Sequence, residues 1–133
     1  MFQFLLSLNS ALEELDLSGN EFNDDMMDSL ANSLANNSKL RKLNLSGNRD
    51  VTSAGWQAFS AVLLNPDSAL ESIGLSDNAI NDDAFNHLKN SIASNNKLKE
   101  LGLGYNHSVS AAGWEGLSTI LRNPNSALEK LYL

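Results

Sequence analysis

A short pattern of leucines recurs five times along the chain at nearly regular intervals. Leu-x-x-Leu-x-Leu begins at Leu12, Leu40, Leu98 and Leu128, and the copy that begins at Leu70 carries an isoleucine at its middle position. The starts lie 28 residues apart from 12 to 40 and from 70 to 98, and 30 apart at the other two steps. Self-similarity at such a period indicates a stack of equivalent units that share one continuous core. The repeat therefore predicts the fold before any local pattern is considered.

Two kinds of unit alternate along this array. Unit A covers residues 12–39 (A1) and 70–97 (A2), and unit B covers residues 40–69 (B1) and 98–127 (B2). The two A units are identical at 14 of 28 positions, and the two B units at 14 of 30. The larger period is therefore a pair of 58 residues (from 12 to 70), which is the pattern that duplication of a two-unit block leaves.

Partial units flank the four full ones. Residues 1–11 align with the end of a B unit, and residues 128–133 align with the first strand of an A unit. We expect a single repeat domain over residues 1–133. Because solenoids need polar capping units at their ends, we also expect the chain to be a fragment of a longer array or an engineered excision.

Each unit begins with a predicted strand. Leucines at alternate positions, such as Leu15 and Leu17, place their side chains on one face, and the residues between them point to the other face. An asparagine follows at a fixed offset in every full unit, and its amide can satisfy backbone groups that a buried turn leaves unpaired. We predict that these side chains form a ladder through the stack: Asn20, Asn48, Asn78 and Asn106.

A helix follows the asparagine in each unit, because apolar residues then recur every four positions. An Asn-Asp-Asp triplet predicts an N-cap and an acidic first turn at residues 23–25 and 81–83. An Asn-Pro pair ends the B helices at residues 65–66 and 123–124. The predicted stripes are Phe22, Met26, Leu30 and Leu34; Ile80, Ala84, Leu88 and Ile92; Val51, Gly55, Phe59 and Leu63; and Val109, Gly113, Leu117 and Leu121.

The pattern Leu-x-x-Leu-x-Leu-x-x-Asn, followed in unit B by Gly-x-x-x-Leu-x-x-x-Leu, resembles the ribonuclease-inhibitor-like class of leucine-rich repeats. NOD-like receptor sensors and the Ran GTPase-activating protein carry the same class. The resemblance implies an α/β leucine-rich-repeat solenoid, a curved horseshoe fragment with a parallel β-sheet on its concave face and α-helices on its convex face. Met26 and Ala84 stand where the family usually has glycine, and unit B has an extra residue after its asparagine, so we expect local differences in curvature.

The resemblance also implies a non-catalytic scaffold that binds a protein partner through the concave strands, an inference by analogy. Outward strand positions vary between units while core positions hardly do, so they are the candidate surface. Tyr105 and Tyr132 are its best anchors by residue type, although Tyr132 is alternatively just the exposed residue of an edge strand. The predicted set is Glu14, Asp16, Lys42, Asn44, Ser72, Asp77, Glu100, Tyr105, Lys130 and Tyr132.

Two other functions stay open at this level. Uncapped ends would expose Leu131 and Leu133 beside a strand edge, which favours a homo-oligomer that associates through the ends of the stack. Regulation of a GTPase is the other alternative, although no residue here can be assigned to it. Trp56 and Trp114 occupy equivalent positions in B1 and B2, so we predict a scaffold role in which each covers the loop between neighbouring helices.

Composition argues against several other classes. Sixteen acidic and nine basic residues give a net charge of −7, which disfavours nucleic acid and anionic membranes as partners. There is no cysteine for a disulfide or a thiolate metal site. The apolar N-terminus lacks the basic segment of a signal peptide, and we expect a cytoplasmic protein. His87 and His107 are isolated, and the adjacent carboxylates of Asp24 and Asp25 do not face each other on a helix, so no catalytic, cofactor or metal site is predicted.

Overall fold

The computed structural model describes residues 11–133, and the proposed B-unit tail at the N-terminus lies almost wholly outside them. The four full units and the C-terminal partial unit each contribute a strand, and each full unit adds a helical segment. The strands are β1 (Glu14–Asp16), β2 (Lys42–Asn44), β3 (Ser72–Gly74), β4 (Glu100–Gly102) and β5 (Lys130–Tyr132). The helices are α1 (Asp24–Leu34), α2 (Ser53–Leu64), α3 (Asp82–Ala93), α4 (Ala111–Glu115) and α5 (Leu117–Leu121).

The strands form one parallel sheet in chain order, β1-β2-β3-β4-β5. Parallel neighbours need a crossover, and the helix of each unit provides it. The register follows the repeat, because the middle residue of each strand pairs with the middle residue of the next: Leu15, Leu43, Ile73, Leu101 and Leu131. The predicted solenoid, with a sheet on one side and helices on the other, is confirmed.

The core lies between the sheet and the helices and runs without interruption through the units. The leucines of the repeat pattern are buried in the inner units. The helix prediction was wrong in two respects: Met26 is only half-buried and Leu121 is 62% exposed, whereas Met27 and Phe85, which the four-residue spacing omitted, are fully buried. A packed helix buries a stripe about 100° wide, so two adjacent residues can both contact the core.

The predicted asparagine ladder is present. The Asn48 backbone N–H donates to Asn78 Oδ1 at 2.7 Å, and the Asn78 N–H donates to Asn106 Oδ1 at 3.1 Å. Each buried side-chain amide also donates within its own turn and to the unit before, as Asn78 Nδ2 does to Leu75 O and Leu45 O. Asn20 donates its backbone N–H to Asn48 but is itself exposed, so it is the outermost rung.

The helix starts are linked across units by carboxylates. Asn81 caps α3 as predicted, and its side chain accepts the Ala84 N–H at 2.9 Å. The neighbouring Asp82, assigned from sequence only to the helix dipole, reaches the next unit and accepts from Ser110 N at 2.7 Å and Ser110 Oγ at 2.6 Å. Gly113 is required beside this contact, because a Cβ there would lie 2.4 Å from Asp82 Oδ1. We call this arrangement the carboxylate clasp.

The same clasp joins A1 to B1. Asp24 Oδ1 accepts from Thr52 N at 2.7 Å, and Asp24 Oδ2 accepts from the Thr52 hydroxyl at 2.5 Å. Gly55 leaves room for that carboxylate in the same way, because a Cβ at this position would lie only 2.6 Å from Asp24 Oδ1. The Val51 side chain, 2.5 Å from the same Cβ position, also restricts this site to glycine.

A second row of asparagines connects the helix ends. Asn65, predicted only to stop α2, donates its side-chain amide to Ala35 O of the preceding unit at 2.9 Å. Asn95 donates to Leu63 O at 2.9 Å, and Asn123 donates to Ala93 O at 2.5 Å. These bonds satisfy carbonyls in the last turn of the preceding helix, which have no partner within the helix itself.

The two tryptophans differ in burial. Trp56 lies within the core, and its ring centroid is 6.1 Å from that of Phe59 in an edge-on arrangement. The expectation that Trp56 covers a loop between helices was therefore wrong. Trp114 is half-buried at the last full unit, with its ring 5.2 Å from that of Phe85. Within residues 11–133, no helix is both long and apolar enough to cross a membrane.

Candidate functional site

The outer face of the sheet, on the side away from the helices, carries an open groove of about 620 Å³. The alternation of each strand puts the repeat leucines inside and the residues between them on this face. Eight of the ten predicted residues lie in the strands: Glu14, Asp16, Lys42, Asn44, Ser72, Glu100, Lys130 and Tyr132. All of these except Lys130 line the groove.

The first residue of each strand forms a row of charges that pair across neighbours. Lys42 Nζ lies 3.2 Å from Glu14 Oε1, and Lys130 Nζ lies 3.4 Å from Glu100 Oε1. The hydrogen bond that Lys130 donates to Glu100 raises the pKa of Lys130 above its usual value. Both pairs are exposed, so each contributes little to folding stability. Ser72 sits between the two pairs at the centre of the row.

A second charged row, just before the strands, was not predicted. Arg41 Nε lies 3.0 Å from Glu71 Oε1, and Lys99 Nζ lies 3.3 Å from Glu71 Oε2. Glu13 extends the row on the other side of Arg41, at 3.9 Å. The hydrogen bonds from Arg41 and Lys99 lower the pKa of the Glu71 carboxyl. The signal was available in the sequence, because the sign of the charge alternates at this offset from one unit to the next.

The last residue of each strand forms a polar row with a flat centre. Asp16 Oδ1 accepts the Ser18 N–H at 2.9 Å, and Asn44 Oδ1 accepts the Ser46 N–H at 3.0 Å. The hydrogen bonds from Ser18 lower the pKa of Asp16. Gly74 and Gly102 follow in the row, and Tyr132 ends it with 56% of its surface exposed.

The remaining two predicted residues lie in turns, because each strand is only three residues long. Asp77 follows β3 and pairs with Arg49 Nη2 at 2.5 Å. Tyr105 follows β4, is 73% exposed, and has its ring edge-on to His107 at 6.1 Å. Treating these two positions as part of the strands was therefore wrong, and they lie outside the groove over the sheet.

These turn positions carry backbone strain in half of the units. The equivalent residues of A1 and B1 are Gly19 and Gly47, with φ of 65° and 73°. Asp77 and Tyr105 adopt the same left-handed conformation, with φ of 55° and 58°. That conformation costs a residue with a side chain about 1 kcal/mol. Tyr105 is 73% exposed, and its ring contacts that of His107 edge-on.

The acidic side chains at the helix starts take part in contacts between units. The carboxylates of Asp24 and Asp82 are occupied by the clasps, and hydrogen bonds from Ser110 lower the pKa of Asp82. Across residues 11–133, no three His, Asp or Glu side chains come together in a way that could hold a metal ion.

Comparison with known proteins agrees with this architecture. A family profile described as "Leucine Rich repeat" matches residues 8–31 and 36–60. Among solved structures, the chain is similar to the leiomodin-1 actin-binding site 2, with a TM-score of 0.84 and 16% identity over 98% of this chain and 76% of that one. It is also similar to the tropomodulin C-terminal domain of Caenorhabditis elegans, with a TM-score of 0.82 and 13% identity over 99% of this chain and 80% of that one. The chain therefore has the leucine-rich-repeat fold.

Proposed function

We propose that the chain is a non-catalytic interaction module that binds a protein partner on the outer face of its sheet, the concave face of the solenoid. The observation that carries the proposal is the groove over β1 to β5, whose floor is held from below by the buried repeat leucines. Because the asparagine ladder and the core fix the strands, little conformational entropy is lost when a partner docks.

The charged residues of this face form its rim and contribute little to its affinity for a partner. The carboxylates of Glu14 and Glu100 already have lysine partners on the neighbouring strands. A bound protein gains little net affinity by replacing exposed pairs of this kind, but their alternating sign can select its register and orientation.

The centre of the face provides the contact area. Ser72, Gly74 and Gly102 form a flat region beside Tyr132, so the side chain or backbone of a partner can approach the strands closely. Tyr132 presents a large exposed ring at one end of this region, and tyrosine is enriched among the residues that dominate binding energy. Five strands at about 4.8 Å spacing make a face roughly 19 Å across, which is part of a standard interface.

We also propose Tyr105 as a contact outside this groove, where it lines a separate cleft at the β5 end of the stack. Its backbone is in a conformation for which two equivalent units use glycine, and its ring is exposed. Residues held in strained conformations cluster at functional positions. We therefore include Tyr105 in the proposed site, with Asp77 as its counterpart in A2.

Actin is the first partner to test, because the leiomodin-1 structure is named as an actin-binding site. At 16% identity that similarity supports the fold alone, so the partner is a proposal here. The ribonuclease-inhibitor-like class likewise stays a prediction.

The test compares variants of matched exposure. The binding of actin would be measured to the immobilised chain and to its Tyr132→Ala and Leu64→Ala variants. Proteins captured from an extract would be measured in parallel. The side chains of Tyr132 and Leu64 are each 56% exposed. Leu64 lies on α2, on the opposite side of the molecule from the groove. We expect Tyr132→Ala to weaken binding about tenfold or more and Leu64→Ala to leave it unchanged.

Tyr105→Gly separates binding from structure. Relief of the left-handed strain and the greater freedom of glycine in the unfolded chain act in opposite directions, so stability should change by less than about 1 kcal/mol, while loss of the ring should weaken partner binding. A purely structural role for Tyr105 would leave partner binding unchanged. If neither tyrosine variant changes binding to a partner that the chain does capture, the outer face is not the binding surface.

A further inference from the structure

In units A1 and B1, the last residue of the strand accepts a hydrogen bond from the backbone two residues further on. Asp16 Oδ1 accepts the Ser18 N–H at 2.9 Å, and Asn44 Oδ1 accepts the Ser46 N–H at 3.0 Å. The hydroxyl and N–H of Ser18, together with the Asn44 side chain, lower the pKa of Asp16, so donors surround this carboxylate. The chain therefore shows which groups its outer face holds at this position: a carboxylate in A1 and a carboxamide in B1.

In A2 and B2 the same position is a glycine, and the acceptor is missing. Gly74 and Gly102 are paired in the register of β3 and β4, and both line the groove on the outer face. Two residues further on, the N–H groups of Ser76 and Gly104 have no acceptor within residues 11–133, although the carbonyl oxygen of each is hydrogen-bonded to the unit before. Ser76 follows the central strand of the sheet, which has two strands on either side, so this open N–H belongs to the middle of the stack.

The atoms around the two glycines define what can fill the open position. A Cβ at Gly74 would lie 2.6 Å from Asn44 Oδ1 and 3.2 Å from Ser46 Oγ. A Cβ at Gly102 would lie 3.3 Å from Ser76 Oγ. An occupant above these glycines therefore meets donors from Ser76 and an acceptor from Asn44, and it needs both kinds of hydrogen-bonding group.

The charges of the groove favour a neutral occupant. Lys42 is the one cation among the described residues that line it, and its Nζ already lies 3.2 Å from Glu14 Oε1. Three carboxylates line the same groove: Glu14, Asp16 and Glu100. A partner's carboxylate would therefore enter an excess of negative charge and could not donate to Asn44. A carboxamide carries an acceptor and two donors without a charge.

We propose that Gly74 and Gly102 form a site for a carboxamide side chain, asparagine or glutamine, of the protein bound on the outer face. The carboxamide oxygen would accept the Ser76 N–H, and its amide would donate to Asn44 Oδ1. The Gly104 N–H, one unit further along, offers a second position of the same kind. The inference rests on the proposed function for the binding surface and adds the chemistry that this surface selects.

Three small probes test the site without a protein partner. Acetamide carries the full carboxamide, acetate replaces it with a carboxylate, and N,N-dimethylacetamide keeps the carbonyl but has no N–H to donate. Each would be titrated into the isotope-labelled chain at equal concentrations while backbone amide signals are followed by NMR. We expect acetamide to shift the Ser76 and Gly104 signals much more than those of Ser18 and Ser46, which are bonded internally. Dimethylacetamide should act more weakly than acetamide, and acetate most weakly.

Gly102→Asn supplies the carboxamide from the chain itself, as Asn44 does in B1. The closest contact of the new Cβ is the hydroxyl of a serine side chain at 3.3 Å, so the substitution can be accommodated. Exchange of the Gly104 N–H should slow about fivefold, and its response to acetamide should be lost. The matched control is Ser72→Asn, which adds the same side chain to the same face at the start of β3 and should change neither quantity.

Three results would overturn the proposal. One is an equal response of all four amides to acetamide. Another is a larger response of Ser76 and Gly104 to acetate, because the position would then take an anion. The third is Gly104 exchange that is the same in Gly102→Asn as in the parent chain.

These readouts are separate from the test of the proposed function, which measures a partner's dependence on Tyr132. A partner that requires Tyr132 should also bind Gly102→Asn more weakly, while Ser72→Asn retains its binding. If such a partner binds Gly102→Asn as well as the parent chain, the outer face is confirmed as the binding surface and the carboxamide site is wrong.

Discussion

Units B1 and B2 share nearly half of their residues, yet they differ in the continuity of the helix and in the burial of the tryptophan. In B1, helix α2 is continuous over Ser53–Leu64, and Trp56 is completely buried. In B2, the corresponding helix is divided into α4 and α5 at Gly116, and Trp114 is half-buried. B1 packs between A1 and A2, whereas in this structure B2 has a full unit only on its A2 side.

The difference teaches that the neighbouring unit, and not the motif alone, determines burial in this array. The clasp from Asp82 contacts the start of α4 as the clasp from Asp24 contacts the start of α2, because both sit on the side where a preceding unit is present. The side that faces away from A2 loses burial instead. Gly116 adds to the effect, because glycine is a poorer helix former than Ala58, its counterpart in B1. Stability is therefore expected to be a sum of contributions from interfaces between neighbours.

The largest test of this comparison truncates the two tryptophans. Trp56→Ala should lower the free energy of unfolding by about 3–5 kcal/mol, because it removes a fully buried side chain and leaves a cavity. Trp114→Ala should cost no more than about half as much, since part of its ring already contacts water. Urea denaturation monitored by circular dichroism measures both. Equal losses would mean that the open end of B2 is as tightly packed as the interior.

The next test compares an inner and an outer rung of the asparagine ladder. Asn78→Ala should cost about 1–3 kcal/mol, because the Asn48 N–H and the carbonyls of Leu45 and Leu75 lose their partner in the interior. Asn20→Ala should cost less than about 1 kcal/mol, since its exposed side chain donates only to Ser18 O in the described part of the chain. Urea denaturation measures both variants, and a larger loss of unfolding free energy in Asn20→Ala than in Asn78→Ala would contradict the ladder.

Sequence reasoning recovered the features that repeat within a single unit. The strand leucines and the ladder asparagines occur at a fixed offset in every full copy, so one physical argument covered all of them. It misplaced Met27 and Phe85, because a spacing of four describes the centre of a helical stripe and not its width.

Contacts between units were mostly missed, because their partners lie 28 or more residues apart. Asp82 had an adequate local explanation in the helix dipole, and Asn65 had one as a helix stop. The pairing of Glu14 with Lys42 was missed because the two residues are far apart in the sequence. This pairing leaves the proposed face with fewer unpaired charges than its composition suggests.

A third test follows how the clasp between Asp82 and Ser110 makes stability depend on pH. The pKa of Asp82 is lowered in the folded state, chiefly by the Ser110 hydroxyl. Its contribution to stability is therefore fully present above the unfolded value of about 3.9 and is lost as the pH falls through the lower folded value. Asp82→Asn should flatten this part of the pH dependence.

Asp83 provides the matched control, because it is the next acidic residue in the first turn of α3 and takes no part in the clasp. Thermal unfolding between pH 5 and pH 2 would be compared for the two asparagine variants and the parent chain. The same loss of acid sensitivity in Asp83→Asn would assign the effect to the helix dipole instead of the clasp.

The smallest effect is expected on the outer face, where the position in the stack should not matter. Ser72→Ala should change the free energy of unfolding by less than about 0.5 kcal/mol, because the side chain is on the open face of a central strand. A loss comparable with that of Asn78→Ala would show that this face is part of the stabilising network and is less available to a partner.

Amide hydrogen exchange along the ladder is the most direct test of the claim that each unit is completed by the next. Heteronuclear NMR would follow the backbone N–H groups of Asn48, Asn78 and Asn106 in one sample. We predict strong protection of Asn48 and Asn78, which donate to the following asparagine, and much faster exchange of Asn106, which has no such acceptor in residues 11–133. Protection of Asn106 equal to that of Asn78, or rapid exchange at all three positions, would contradict the account.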